Sequence, residues 1–252
     1  MDKKAFVTGG GTGIGKGIAE VLIKNGYDVA VSYNSSSSGA EEILELAKSL
    51  GRKAVALKGN IADTKDIAKI FSEYRKSFGT LDLFVNNAGV TLKSRFLETS
   101  EEIFDSVCNV DFKGAFFCMQ EAAKIMVENN TKGNMIVISS NNAKAHFADV
   151  SVYASVKTAV SKLSEHIAIE LALYGIRVNT VAPGWTDTGS SRLDDKESTY
   201  YKVPLKRWTT PEEIGKTVLF LDSDAALSIT GTTITVDGGA LLVSDKRERY
   251  GF

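Results

Sequence analysis

The chain has 252 residues and almost balanced charge, with 30 Lys and Arg against 31 Asp and Glu. That length fits one large α/β domain, and a net charge of −1 without a basic stripe excludes a nucleic-acid surface. No long apolar span predicts a membrane helix and no leader precedes the first strand, so a soluble cytoplasmic protein is expected.

The apolar run 5–7 reads as a strand. It leads into Thr8-Gly9-Gly10-Gly11-Thr12-Gly13-Ile14-Gly15, and Ile18, Ala19, Leu22 and Ile23 follow at helical spacing. Strand, glycine loop and helix form a phosphate-binding unit, because missing side chains let a pyrophosphate approach backbone N–H groups at a helix N-terminus. G-x-G-x-x-G cannot be laid on these glycines. G-x-x-x-x-G-K-[ST] fits from Gly10 to Lys16 but meets Gly17 where magnesium needs a hydroxyl. T-G-x-x-x-G-x-G fits from Thr8 to Gly15.

A second strand over 27–33 ends in Tyr33-Asn34-Ser35 without the carboxylate that holds a ribose 2′-hydroxyl in many dinucleotide sites. An acid there would repel a 2′-phosphate, so NADP(H) is expected in preference to NAD(H). Lys16 is the nearest base in the loop. A helix restarts at Glu41. The third strand, 53–58, is followed by Gly59, Asn60 and Ile61, then a helix over 66–78. The fourth strand, 81–85, ends in Asn86-Asn87-Ala88-Gly89. Strands alternating with helices predict an α/β fold: a doubly wound parallel sheet of about seven strands, helices on both faces, ligands at the strands' carboxyl ends.

From Glu101 onward the pattern is helical, with Asn109 inside it among apolar neighbours, either a satisfied core amide or a functional one. Cys108 and Cys118 in this stretch, with no His near, predict reduced buried thiols and no metal pair.

The strand 135–138 delivers Ser140, and the next helix carries Tyr153 and Lys157 one turn apart on one face. Tyr-x-x-x-Lys also arises where a lysine merely covers a ring edge. Its chemical reading is proton transfer. A free tyrosine has a pKa of about 10, and an ammonium about 4 Å away at an effective dielectric near 20 offers about 4 kcal/mol, roughly enough to bring it near 7. A buried carboxylate on that amine would defeat this reading. His146 and His166 read as a solvated loop residue and a structural helix residue.

A sixth strand over 176–181 runs into Pro183, Gly184, Trp185, Thr186 and Thr188. The polar stretch within 185–205 is expected to be a substrate lid. Pro211 opens a helix, the strand 233–236 closes the fold, and a mixed-charge tail over 244–252 packs on a partner or frays.

Taken together, these motifs resemble the classical short-chain dehydrogenases/reductases over essentially the whole length. The residues that carry the likeness are Thr8 to Gly15, Asn86 to Gly89, Asn109, Ser140, Tyr153, Lys157, Pro183-Gly184 and Asp237-Gly238-Gly239. The resemblance implies a single-domain Rossmann-type enzyme that moves a hydride between nicotinamide and a secondary alcohol or ketone. It implies Tyr153 as general acid/base, Lys157 lowering its pKa and binding the nicotinamide ribose, Ser140 on the reacting oxygen, and Asn109 holding a relay water. For the cofactor it implies Gly9, Gly11, Thr12, Gly13 and Ile14 around pyrophosphate and adenosine; Tyr33, Asn34 and Ser35 at the 2′ position; and Asn60 and Ile61 at adenine. Asn87, Ala88 and Gly89 would brace their loop and approach the cofactor, Thr188 would reach the nicotinamide carboxamide, and Pro183, Gly184 and Thr186 complete the cofactor-binding set.

Within the family the chain looks most like the bacterial glucose 1-dehydrogenases and 3-oxoacyl-carrier-protein reductases. Thr91 and Leu92 stand where the glucose enzymes have an acid, and Asn142 where they have a histidine. A homotetramer, or a dimer, is implied, with no nucleic-acid or membrane partner. Two rivals remain at this stage: a nucleotide-sensing regulator that kept the fold without catalysis, and a P-loop nucleotidase.

Overall fold

The side chains of each strand alternate between two apolar layers, as a period of two requires. Phe6, Phe84, Met135 and Val137 enter one layer with Ile67, Phe71, Tyr74, Ala122 and Val160. Ala5, Val7, Leu83, Val85 and Ile136 enter the other with Ile18, Leu22, Ile43, Ile214 and Val218. In this computed structural model, which describes residues 3–189 and 199–243, that pattern produces one parallel sheet between two layers of helices.

The strands are β1 Lys4–Val7, β2 Asp28–Tyr33, β3 Ala54–Lys58, β4 Leu83–Asn86, β5 Asn134–Ile138, β6 Arg177–Pro183 and β7 Thr233–Val236. Their order is β3-β2-β1-β4-β5-β6-β7, and the seven strands are those the sequence predicts to within two residues at most ends. The helices are α1 Gly13–Lys24, α2 Ser37–Ser49, α3 Thr64–Phe78, α4 Glu101–Cys108, α5 Ala115–Glu128, α6 Ser151–Ala172 and α7 Pro211–Leu221. The chain winds outward from β1 in one direction and resumes at β4 in the other. The carboxyl ends of β1 and β4 therefore splay apart, and an open α/β sheet takes its ligand there.

Two details of packing fix this frame. Phe6, Phe71 and Phe84 form an aromatic cluster with centroids 5.1–5.9 Å apart, each ring contributing about 1.5–3 kcal/mol by burial. On the other face α1 and α7 touch through glycine. A Cβ on Gly17 would lie 2.3 Å from the Pro211 side chain, and one on Gly215 would lie 2.8 Å from Val21. α7 begins with a full capping box between Thr210 and Glu213 and has Pro211 in its first turn.

One expectation is corrected. The continuous helix from Glu101 is instead α4, a π-helical turn over Asn109–Gly114, and α5. Gly114 lets the widened turn press on β3's following loop, since a Cβ there would lie 2.5 Å from the Ile61 carbonyl oxygen. Such turns redirect side chains and recur at functional sites. The middle of the expected lid, 190–198, and the tail 244–252 lie outside the described residues.

Candidate active site

β1 ends in Thr8, whose Oγ1 accepts the backbone N–H groups of Asn87 at 2.9 Å and Ala88 at 3.0 Å. The Asn87 amide returns a bond to the Thr8 carbonyl at 2.9 Å. The loops after β1 and β4 are thus clamped together. Gly15 is obligatory in this clamp, because a Cβ would lie 2.3 Å from the Gly9 carbonyl oxygen and 2.4 Å from the Asn87 amide. α1 then starts at Gly13 with Thr12 extended, no side-chain cap and no acid in its first turn. By contrast α3 is capped by Asp63 and α7 by Thr210. Unserved N–H groups at the positive end of a helix dipole suit a pyrophosphate.

These elements wall a groove of about 850 Å³ that runs across the ends of β1, β2, β4 and β5. It contains Gly9, Gly11, Thr12, Gly13 and Ile14; Tyr33, Asn34 and Ser35; Asn60 and Ile61; and Asn87, Ala88 and Gly89, all expected there. Tyr153, Lys157 and Thr188 complete it at the far end. Asn60 is held by its own turn, with its backbone N–H donating to Asp66 at 2.8 Å and its side-chain Oδ1 accepting from the Ala62 N–H at 3.0 Å. Lys16 is turned away into an ion pair with Glu42 of α2 and is not in the groove wall. Pro183, Gly184 and Thr186 lie behind the wall. Gly184 donates to Val236 at 3.0 Å, and Thr186 bridges to Thr209. The Gly17–Pro211 contact also leaves no room for the hydroxyl that a P-loop needs at that position.

At the α6 end Lys157 is buried. Its Nζ lies 5.6 Å from the centre of the Tyr153 ring and donates to the Ile138 carbonyl at 3.2 Å. Tyr153 is half-exposed to the groove. Ser139 and Ser140 divide their work. Ser139 Oγ donates to the Lys157 carbonyl at 2.9 Å and accepts from Ser161, tying β5 to α6. Ser140 Oγ accepts only the Asn142 N–H, at 3.2 Å among the described residues, which leaves its proton available.

Asn109 does not reach the groove. It is half-buried at the start of the π turn, and the residues that turn delivers to the groove are Val110 and Asp111. Asp111 Oδ2 pairs with Lys157 Nζ at 3.0 Å, and Oδ1 accepts the Val90 N–H at 2.7 Å. The carboxylate is fully buried. Burial works against the Lys157 ammonium, but Asp111 and then Tyr153 outweigh it, and the amine titrates above its ordinary range. This is the buried carboxylate that was expected to defeat the proton-transfer reading. Because the pair keeps Lys157 charged beneath the Tyr153 ring, it weakens the lysine's pull on the phenol without displacing it. A charged residue between Val110 and Phe112 was the signal for it in the sequence.

A glycine-loop parallel sheet with a tyrosine and a buried lysine beside its switch point defines a dinucleotide-dependent oxidoreductase. The comparisons narrow this. A family model described as enoyl-(acyl carrier protein) reductase matches residues 9–240. A 3-oxoacyl-acyl-carrier-protein reductase of Staphylococcus aureus is 38% identical, covering 95% of this chain and 98% of that protein. Glucose 1-dehydrogenase 2 of Bacillus subtilis is 35% identical over 98% of this chain and 97% of its own. The crystal structure of acetoin dehydrogenase from Enterobacter cloacae superposes with a TM-score of 0.91 at 32% identity, over 98% and 99% of the two chains. The chain belongs to the short-chain dehydrogenase/reductase family. It is an NAD(P)-dependent oxidoreductase of CH–OH groups, which removes the purely sensory alternative.

Proposed function

We propose that the protein moves a hydride between NADP(H), in preference to NAD(H), and a small secondary alcohol or ketone such as a sugar or polyol. Tyr153 acts as general acid/base. The observation that carries this reading is the convergence of Tyr153 and the Lys157 ammonium, 5.6 Å from its ring, on the groove that the glycine loop opens.

The groove fits a nicotinamide dinucleotide. The Gly9 to Ile14 loop and the uncapped start of α1 would receive its pyrophosphate, and Asn60 and Ile61 its adenine. Tyr33, Asn34 and Ser35 would face the ribose 2′ position without a carboxylate to repel a phosphate. Asn87, Ala88, Gly89 and Thr188 would frame the nicotinamide, which supplies or accepts the hydride. Tyr153 gives a proton to the carbonyl oxygen in reduction, or takes it from the hydroxyl in oxidation. Ser140 donates to the same oxygen and orients it, and Lys157 holds the charge balance behind the phenol.

We assign to the substrate side the pair Phe147 and Trp185, which meet edge to face at 5.6 Å with Lys202 5.9 Å from the Trp185 ring. An aromatic pair with a cation beside it suits a compact hydroxylated carbonyl. Glucose and acetoin, which the names of two relatives carry, are of that kind.

No helix among the described residues is long and apolar enough to cross a membrane, and we place the protein in the cytoplasm. We also assign it a homotetrameric or dimeric state. Phe104 and Phe112 of the α4–π turn segment are exposed beside an apolar cleft of about 690 Å³ against α6. Light scattering would read the mass directly.

The test is a spectrophotometric panel of sugars, polyols, ketones and oxoacyl esters with NADPH and NADH. Tyr153→Phe is expected to lower turnover by at least about 10²–10⁴-fold on every active substrate. Undiminished turnover would show the mechanism to be wrong, and a preference for NADH above about tenfold would reverse the cofactor assignment.

A further inference from the structure

We propose that Asp111 is a positioning residue that holds Lys157 in place and offsets its charge, so that Tyr153 works in a higher pH range than a lone lysine would allow. The proposal rests on the reading of Tyr153 as general acid/base.

Three observations carry it. Asp111 and Lys157 are both buried and their charged atoms are 3.0 Å apart. Asp111 Oδ2 has no donor other than that ammonium among the described residues, whereas Oδ1 is fixed by Val90. The space for the pair exists because residue 89 is glycine. A Cβ there would lie 2.7 Å from Asp111 Oδ2 and 3.3 Å from Lys157 Nζ.

An isolated ammonium at this distance from a phenol favours the phenolate. An ammonium with a carboxylate against it acts as a dipole, whose field falls off faster, so its pull on the phenol is weaker. Among the described residues, the charged ones in the groove wall are Lys157 and Asp111. The groups felt by Lys157 are Asp111 on the π turn and Tyr153 on its own helix. The β4 loop offers Asn87, Ala88 and Gly89, and the β5 end offers Ile138, Ser139 and Ser140, all uncharged. Lys144, His146 and Asp149, ahead of α6, are exposed to water and screened. The carboxylate thus opposes loss of the phenol proton, which carbonyl reduction consumes.

The experiment is the pH profile of kcat/KM for alcohol oxidation, with a substrate active in the panel. Asp111→Asn should move the rising limb toward acid by about one pH unit or more, and Asp111→Glu, which retains the charge, should return it toward the wild-type position. An unmoved limb in Asp111→Asn would overturn the proposal. A second measurement needs no Asp111 variant. The tyrosinate absorbance of the wild-type protein minus that of Tyr153→Phe should rise only in alkaline solution, and ionisation of Tyr153 at or below neutral pH would overturn it equally. The two readings fail separately. A fully active Tyr153→Phe strikes the assignment of Tyr153, whereas an inactive Tyr153→Phe with an unmoved Asp111→Asn limb strikes Asp111 alone.

Discussion

Where the groove meets the glycine loop, its wall is main chain. Gly9, Gly11 and Gly13 face it, Gly15 closes the loop against the Asn87 amide, and the α1 N-terminus is left without a side-chain cap. Where the groove meets α6, its wall is charged side chain: Lys157 and Asp111 are buried together beneath Tyr153. On the proposed function, the first end would recognise its ligand by shape and backbone dipoles, and the second would perform proton chemistry by balancing two charges against each other. A small change in shape should therefore damage the first end most, and a small change in charge the second.

The sharpest break of that contrast is Gly15→Ala. Its methyl would meet the Gly9 carbonyl at 2.3 Å, so the loop must open. Dinucleotide affinity should fall about a hundredfold, equivalent to about 2.8 kcal/mol, by calorimetry. Retention within threefold would mean that this loop is not the cradle. Asn34→Asp is milder and acts by charge at the shape-reading end. A carboxylate beside the ribose should move the NADPH-to-NADH preference about tenfold toward NADH in kcat/KM.

The smallest effect is expected from Glu213→Gln on α7, which supports α1 from behind. Arg207, first among the causes, together with the Thr210 N–H holds Glu213 down from 4.5 to about 2. A carboxylate depressed by folding stabilises above its ordinary pKa, and that contribution is lost as pH falls through about 2. A third of the side chain is exposed, so screening keeps the effect near 1 kcal/mol, or about 2–4 °C in Tm at neutral pH. Wild type and variant should converge in acid, and chemistry at either end of the groove should be unchanged.

The two ends also differ in how well the sequence discloses them. Glycines between a strand and a helix leave few conformations open, so the strand–glycine loop–helix unit, the strand alternation and a groove at the strands' carboxyl ends were legible. The choice of Ser140 over Ser139 stays a proposal: Ser139 is bound to Lys157's carbonyl, yet it is Ser139 that lines the groove. The π turn was not legible. Nothing local in Asn109-Val110-Asp111 says that one extra residue is accommodated before α5. The resemblance pointed to the amide of Asn109, and the widened turn brings the acid of Asp111 to the groove. Nor was the direction taken by Lys16, the nearest base in the loop, legible. Its partner Glu42 belongs to α2, a separation of sequence that no local pattern spans.

The groove's charged wall residues among those described, Lys157 and Asp111, cancel, and Lys16 is already neutralised outside it. An anionic dinucleotide approaching from solution thus meets almost no long-range field drawing it in. Capture depends on collision and close fit, and ambient salt has little hold over how much of the protein carries its coenzyme.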